Sequence, residues 1–210
     1  NFILQQIKTT NNSILNLDKL TYAGNLDNLS SINGNQNYEF IKGDICDSTL
    51  VSKTISEFKP DTIVHFAAES HVDRSIDAAV DFVQTNIVGT YTLLQATVEY
   101  WKELAPIARQ DFRFHQISTD EVFGSNKDGF ATEEAPFRPN SPYAASKAAG
   151  DHLVRAYQQT YNLPTIITHG CNTFGPRQHP EKFLPRLILR GLTGQSLPVY
   201  GDGSNIREWI

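Results

Sequence analysis

Short apolar runs alternate with longer amphipathic stretches along this chain, and their order predicts strands alternating with helices. Residues 13–20, "SILNLDKL", form a first short strand ending near Asp18, and "YEFIKGDI" (38–45) forms a second reaching Asp44. Apolar positions in "STLVSKTISEF" (48–58) recur at helical spacing, with Ser48 where an N-cap belongs. "DTIVHFAA" (61–68) is apolar on both faces, as in a strand covered on both sides of a parallel sheet. "FVQTNIVGTYTLLQATVEYWKEL" (82–104) predicts one long amphipathic helix, and "FRFHQIST" (112–119) the next strand. "YAASKAAGDHLVRAYQQTY" (143–161) is helical, entered through Ser141-Pro142, and "PTIITHGCN" (164–172) closes the series as a strand. This order predicts an α/β fold, doubly wound around a parallel sheet.

Composition narrows the function classes. The 210 residues are 40% hydrophobic with a formal charge of -5, which argues against a nonspecific nucleic-acid binder. There is no run of about 18 apolar residues and no basic start followed by an apolar run, so neither a membrane span nor a secretory leader is expected. The only cysteines are Cys46 and Cys171, which suggests a reducing cytoplasm rather than a disulfide framework. His65 and His71 flank "FAAES" without carboxylate or thiolate companions at metal-ligand spacing, so no metal is expected. The chain contains no methionine and begins at Asn1, and "NIREWI" stops inside an apolar stretch. We therefore expect a piece of a longer protein.

In doubly wound sheets ligands bind beyond the carboxyl ends of the strands. Those ends carry Asp18, Asp44, "AAES" (67–70), "STDE" (118–121) and "CNTFG" (171–175). An acid at the end of the second strand of such a fold suits the adenosine ribose of NAD and repels the 2′-phosphate of NADP, although Lys19 beside Asp18 brings a compensating charge. The glycine-rich phosphate turn that would accompany it falls before residue 1, which makes "NFILQQIKT" the remainder of the first helix. Tyr143 and Lys147 form Y-x-x-x-K, one turn apart on one helix face. A tyrosine with an ordinary pKa of about 10 needs a neighbouring cation to act as a base at neutral pH, and the Lys147 ammonium is the candidate. Thr119, at a strand end, can complete a Thr–Tyr–Lys set, and Asp120 with Glu121 adds two adjacent carboxyls whose proximity drives their proton affinities apart.

These motifs, with "LDKLTYAGN", "HFAAESHVDRS", "TNIVGT", "STDEVFG", "SPYAASKAAGDHLVRAY", "NTFGPRQHPEKFLP" and "LPVYGDGSNIREW", run through nearly the whole chain. The chain resembles the extended short-chain dehydrogenase/reductases, in particular the nucleotide-sugar 4,6-dehydratases of the dTDP-glucose type. The resemblance implies a Rossmann-like NAD-binding domain over 1–171 and the beginning of a nucleotide-sugar-binding domain over 172–210. It implies oxidation at carbon-4 by Tyr143 and bound NAD, loss of water across carbon-5 and carbon-6 with Glu121 as base and Asp120 as acid, and return of hydride to carbon-6. Thr119 and Lys147 complete the catalytic set. The cofactor would be lined by Asp18, Lys19, Leu20, Thr21, Asp44, Ile45, Phe66, Ala67, Ala68, Glu69, Ser70, Thr85, Tyr143, Lys147 and Thr173. The nucleotide-diphosphate sugar would meet Ser70, Thr119, Asn172, Lys182, Phe183, Pro198, Val199, Tyr200 and Arg207. The resemblance also implies a homodimer formed through the 82–104 and 143–161 helices, and a place in deoxysugar biosynthesis such as that of rhamnose. A UDP-glucose 4,6-dehydratase, a related epimerase or decarboxylase, and a noncatalytic nucleotide-sugar-binding protein are the other readings. Residues 1–210 alone are expected to be inactive.

Overall fold

The structure, a computed structural model, describes residues 1–125, 129, 131–199, 201–204 and 206–210. The apolar runs form β1 (Ile14–Asp18), β2 (Tyr38–Lys42), β3 (Thr62–His65), β4 (Arg113–Thr119) and β5 (Thr165–Gly170). Among the described residues these make a two-stranded sheet, β1-β2, and a three-stranded sheet, β3-β4-β5. The three strands of the second sheet are parallel, with Thr62 opposite Arg113, Phe114 opposite Thr165 and Thr119 opposite Gly170. The fold is Rossmann-like α/β, as the strand–helix alternation predicts.

The helices are α1 (Phe2–Thr9), α2 (Ser48–Phe58), α3 (Val72–Asp77), α4 (Ala79–Phe82), α5 (Thr90–Glu103), α6 (Pro106–Asp111), α7 (Pro142–Tyr161) and α8 (Phe183–Leu192). Three details differ from the sequence expectations. The cap of α2 is Asp47, whose carboxylate accepts from the Leu50 amide at 3.0 Å; Ser48 is the first helical residue. The 82–104 helix is not uniform, because a π-helical stretch, Val83–Gly89, separates α4 from α5. A π-helical stretch is defined by its backbone hydrogen bonds, which a pattern of apolar side chains does not reveal. The short helices α3 and α6 and the α8 helix stand in segments for which the sequence reading names no helix.

Two compact units are distinguished, and each is described by itself. One comprises Leu17–Lys19 and Phe40–Gly170. Its core joins Val51 and Ile55 of α2, Leu94, Val98 and Trp101 of α5, Phe112 and Phe114 of β4, Val154 of α7, and Leu163. Each of the large apolar side chains fully buried there contributes about 1.5–3 kcal/mol. This packing fixes α7 against β4, which sets the geometry of the strand end. The other unit comprises Asn1–Asn16, Leu20–Glu39 and Cys171–Ile210. Within it, Asn1 Nδ2 donates to the Pro176 carbonyl at 2.9 Å and the Tyr22 hydroxyl to Glu181 at 3.1 Å, while Asn172 bridges to Trp209.

Candidate active site

The strand end comes first. β4 alternates, burying Phe114, Gln116 and Ser118, and its last residue, Thr119, is also buried. There the chain turns into a single 3-10 turn, Asp120–Phe123, because the Thr119 hydroxyl accepts from the Glu121 amide at 3.3 Å and caps it. Gly124 ends the turn with φ 76°, and a Cβ there would stand 2.1 Å from the Arg138 carbonyl oxygen. The glycine is required on both counts. This local chemistry presents Asp120, half-buried, and Glu121, exposed, directly after the sheet.

Helix α7 supplies the facing groups. Ser141 caps it by accepting from the Ala144 amide at 3.1 Å, and Pro142 fills the first helical position. Tyr143 and Lys147 are both buried, and the Lys147 ammonium donates to the Ile117 carbonyl of β4 at 2.7 Å. Thr119, Asp120, Glu121, Tyr143 and Lys147 are thus brought together. Burial, followed by the Glu121 charge, pushes the Tyr143 phenol up to about 12, against a hydrogen bond with Thr119 that favours the phenolate. Burial pushes Lys147 down, and the Asp151 charge opposes it. The expected lowering of Tyr143 by Lys147 is therefore not present in the free protein. Desolvation and the acid pair dominate instead, and the ammonium is engaged by a backbone carbonyl.

The segment after β3 is held by a residue that the motif reading passed over. Asn86 lies in the π-helical stretch, 2% exposed, with its side chain spent on three partners. It accepts from the Glu69 amide at 2.9 Å, and donates to the Glu69 carbonyl at 3.0 Å and to the Ser146 hydroxyl at 2.8 Å. Ser146 in turn donates to the Tyr143 carbonyl at 2.7 Å. The segment Phe66–Ser70 is thereby tied to the turn of α7 that carries Tyr143. Phe66 and Ser70 are exposed, while Ala67, Ala68, Glu69 and Thr85 are half-buried. His65, beneath them, is fully buried with Nε2 3.0 Å from the Thr90 hydroxyl; burial, helped by the Lys147 charge, pushes it down to about 3. It is a neutral core histidine. The signal for Asn86 was available as a polar residue inside the apolar face of 82–104.

At the ends of β1 and β2, Asp18 is exposed and its carbonyl accepts from the Gly43 amide at 3.0 Å. Lys19 reaches Asp44, Nζ to Oδ2 at 2.7 Å, and the Cys46 amide donates to Asp44 Oδ1 at 2.9 Å. Partial burial raises Asp44, but Lys19 and the Cys46 amide hold it below the usual carboxylate range. Ile45 is buried beside Gly89, where a Cβ would come within 2.6 Å of its Cδ1.

The remaining expected residues belong to the other unit. Leu20 adopts φ 53° and Thr21 is exposed. Asn172 Nδ2 donates to the Glu208 carbonyl at 3.1 Å, and the exposed Thr173 accepts on its carbonyl from Gln178 at 2.9 Å. Lys182 is the cap residue of α8, and Phe183 lies with its ring centroid 6.2 Å from that of Trp209. Pro198 is half-buried, Val199 and Arg207 are exposed, and Tyr200 lies outside the described residues.

Comparison with known proteins matches this architecture. The family model described as GDP-mannose 4,6 dehydratase matches residues 2–210. A dTDP-glucose 4,6-dehydratase of Neisseria gonorrhoeae is 52% identical over 206 residues, covering 97% of this chain and 60% of that protein. One of Xanthomonas campestris pv. campestris is 51% identical over 211 residues, covering 100% of this chain and 60% of that protein. Among solved structures, a dTDP-glucose 4,6-dehydratase from Streptomyces venezuelae with NAD and TYD bound superposes with a TM-score of 0.90 at 45% identity. It is matched over 100% of this chain and 63% of its own. The chain thus spans about 60% of the length of the curated relatives it matches. The resemblance carried by "STDEVFG" and "SPYAASK" is borne out, and the chain belongs to the GDP-mannose 4,6 dehydratase family.

Proposed function

We propose that the protein converts dTDP-glucose to dTDP-4-keto-6-deoxyglucose with NAD as a tightly used, regenerated cofactor. The observation that carries this reading is the Asp120–Glu121 pair held beside Tyr143, Lys147 and Thr119. A Thr–Tyr–Lys set alone suits many oxidoreductases; two carboxyls next to it suit removal of water.

The residues suit NAD on chemical grounds. The Lys147 ammonium has three donors and Ile117 takes one, which leaves donors for ribose hydroxyls. Lys19 is already committed to Asp44, so the charge beside Asp18 is compensated and a 2′-phosphate finds no spare cation there. The exposed Phe66 ring offers an apolar wall after β3. When bound, NAD would supply the acceptor for the carbon-4 hydride and the donor that returns it to carbon-6.

Tyr143 takes the proton of the carbon-4 hydroxyl, and Thr119 hydrogen-bonds the same oxygen. Because the free phenol is held up to about 12, a positive charge arriving in the site has much to gain by bringing it down. The ketone formed at carbon-4 acidifies carbon-5. Glu121 removes that proton while Asp120 protonates the departing carbon-6 hydroxyl, so the two carboxyls act in opposite protonation states; as hydride reaches carbon-6, Glu121 gives a proton back to carbon-5, and the proton taken from the carbon-4 hydroxyl replaces the one Asp120 gave. Asn172, Lys182, Phe183, Pro198, Val199, Tyr200 and Arg207 are proposed to bind the nucleotide sugar, the guanidinium pairing with its diphosphate. Residues 1–171 are proposed as the NAD-binding region and 172–210 as the start of the sugar-nucleotide region.

We further propose a cytoplasmic homodimer; among the described residues no helix is long and apolar enough to cross a membrane. Sedimentation of the full-length protein as a monomer only would refute the dimer. The test of activity is incubation of full-length protein with dTDP-glucose and with UDP-glucose, no reductant added. A 4-keto product absorbing in base, formed preferentially from dTDP-glucose, is expected; no keto product from either sugar would refute the reading.

A further inference from the structure

Asp151 lies one helical turn beyond Lys147 on α7, on the same face, and is 1% exposed. Its Oδ2 accepts from the Ser118 hydroxyl at 2.6 Å and lies 3.2 Å from His169 Nε2 of β5. Its Oδ1 is buried with no hydrogen-bond partner. A carboxylate shut away from water with half its acceptor capacity unused is costly unless a positive charge compensates it. Lys147, also buried, lies one turn away on the same helix, with its ammonium on the Ile117 carbonyl and its charge favoured by Asp151. The other titratable groups facing this cluster are His65 from β3, which stays neutral, His169 from β5, and Asp120 and Glu121 from the turn after β4.

We infer that Asp151 is a positioning residue for the proposed reaction: a buried carboxylate one turn from Lys147 on the same helix face, it supplies fixed negative charge beneath the Tyr143–Lys147 pair, and through Ser118 it clamps the end of β4 beneath Thr119. It reaches neither sugar nor cofactor and acts through Lys147, Tyr143 and the strand end. The directions agree, since the Asp151 charge raises Lys147 against the burial that lowers it, and also raises Tyr143. The inference rests on the dehydratase reading only for its kinetic readout.

The test uses the full-length protein with Asp151→Asn, Asp151→Ser as a second neutral variant, and Asp151→Glu. In the pH profile of kcat/KM of the NAD-loaded protein, where the cofactor's positive charge brings the phenol down, Tyr143 ionisation sets the acid limb and Lys147 deprotonation the alkaline limb. Removing a fixed negative charge lowers both, so both limbs of the neutral variants move to lower pH. Asp151→Glu restores their position, and Ser118→Ala, which keeps the charge, lowers activity without moving them. A merely structural role predicts a uniform loss with unmoved limbs, and that result overturns the inference. A substrate-free readout separates it from the dehydratase reading. The tyrosinate absorbance lost on Tyr143→Phe titrates at lower pH in the Asp151→Asn background than in the wild type. Identical titration in the two backgrounds overturns the inference even where turnover is found. Absent wild-type turnover with a shifted titration overturns the dehydratase reading alone.

Discussion

Asn86→Ala removes one small side chain and three hydrogen bonds, and the consequence can be worked from the geometry. The Ser146 hydroxyl keeps a partner, because it still donates to the Tyr143 carbonyl at 2.7 Å. The Glu69 amide and carbonyl lose theirs, at 2.9 and 3.0 Å. Each backbone group left unsatisfied in a site closed to water costs about 1–3 kcal/mol. Glu69 is only half-buried, so solvent recovers part of this, and the net expectation is about 2–4 kcal/mol. That is a large share of the stability of an ordinary domain. The measurement is urea unfolding of full-length wild type and variant, comparing midpoints at equal m-value. NAD affinity should fall as well, because the Phe66–Ser70 segment is released from α7. A midpoint within the equivalent of about 0.5 kcal/mol of wild type would refute the reasoning that this side chain ties the segment down.

Two other outcomes are expected from the same structure. His65 is held down to about 3 in the folded protein, against an ordinary value near 6.5, so the unfolded chain binds the extra proton first. Stability from this group is present above about pH 6.5 and is lost as pH falls toward 3; His65→Gln should flatten the acid slope of the unfolding midpoint, and an unchanged slope would count against it. Gly124→Ala adds a Cβ 2.1 Å from the Arg138 carbonyl oxygen at φ +76°, a backbone region costing about 1–3 kcal/mol for other residues. Because Gly124 ends the turn carrying Asp120 and Glu121, dehydration should suffer more than nucleotide binding, which isothermal titration set against turnover would show.

Much of this was legible in the sequence because the signals are local. Strand ends are marked by apolar runs meeting acids, and the Ser141 cap with Pro142 announces the helix that brings Tyr143 and Lys147 one turn apart. Features that depend on tertiary partners were not legible. The π-helical stretch Val83–Gly89 carries Asn86, whose partner Glu69 lies 17 residues away. The Lys19–Asp44 pair joins the ends of two strands. The high proton affinity of Tyr143 comes from burial and from Glu121, neither of which Y-x-x-x-K spacing encodes.

We propose that the adjacent carboxyls after β4 turn an oxidoreductase site into one that eliminates water, with Glu121 as the base. The direct measurement is full-length Glu121→Gln incubated with dTDP-glucose in D2O, following the NADH absorbance and deuterium at carbon-5. Carbon-4 oxidation should persist, carbon-5 exchange should stop, and product formation should fall about 10²–10⁴-fold. Deuterium exchange at carbon-5 and 4-keto-6-deoxy product at the wild-type rate would contradict the account.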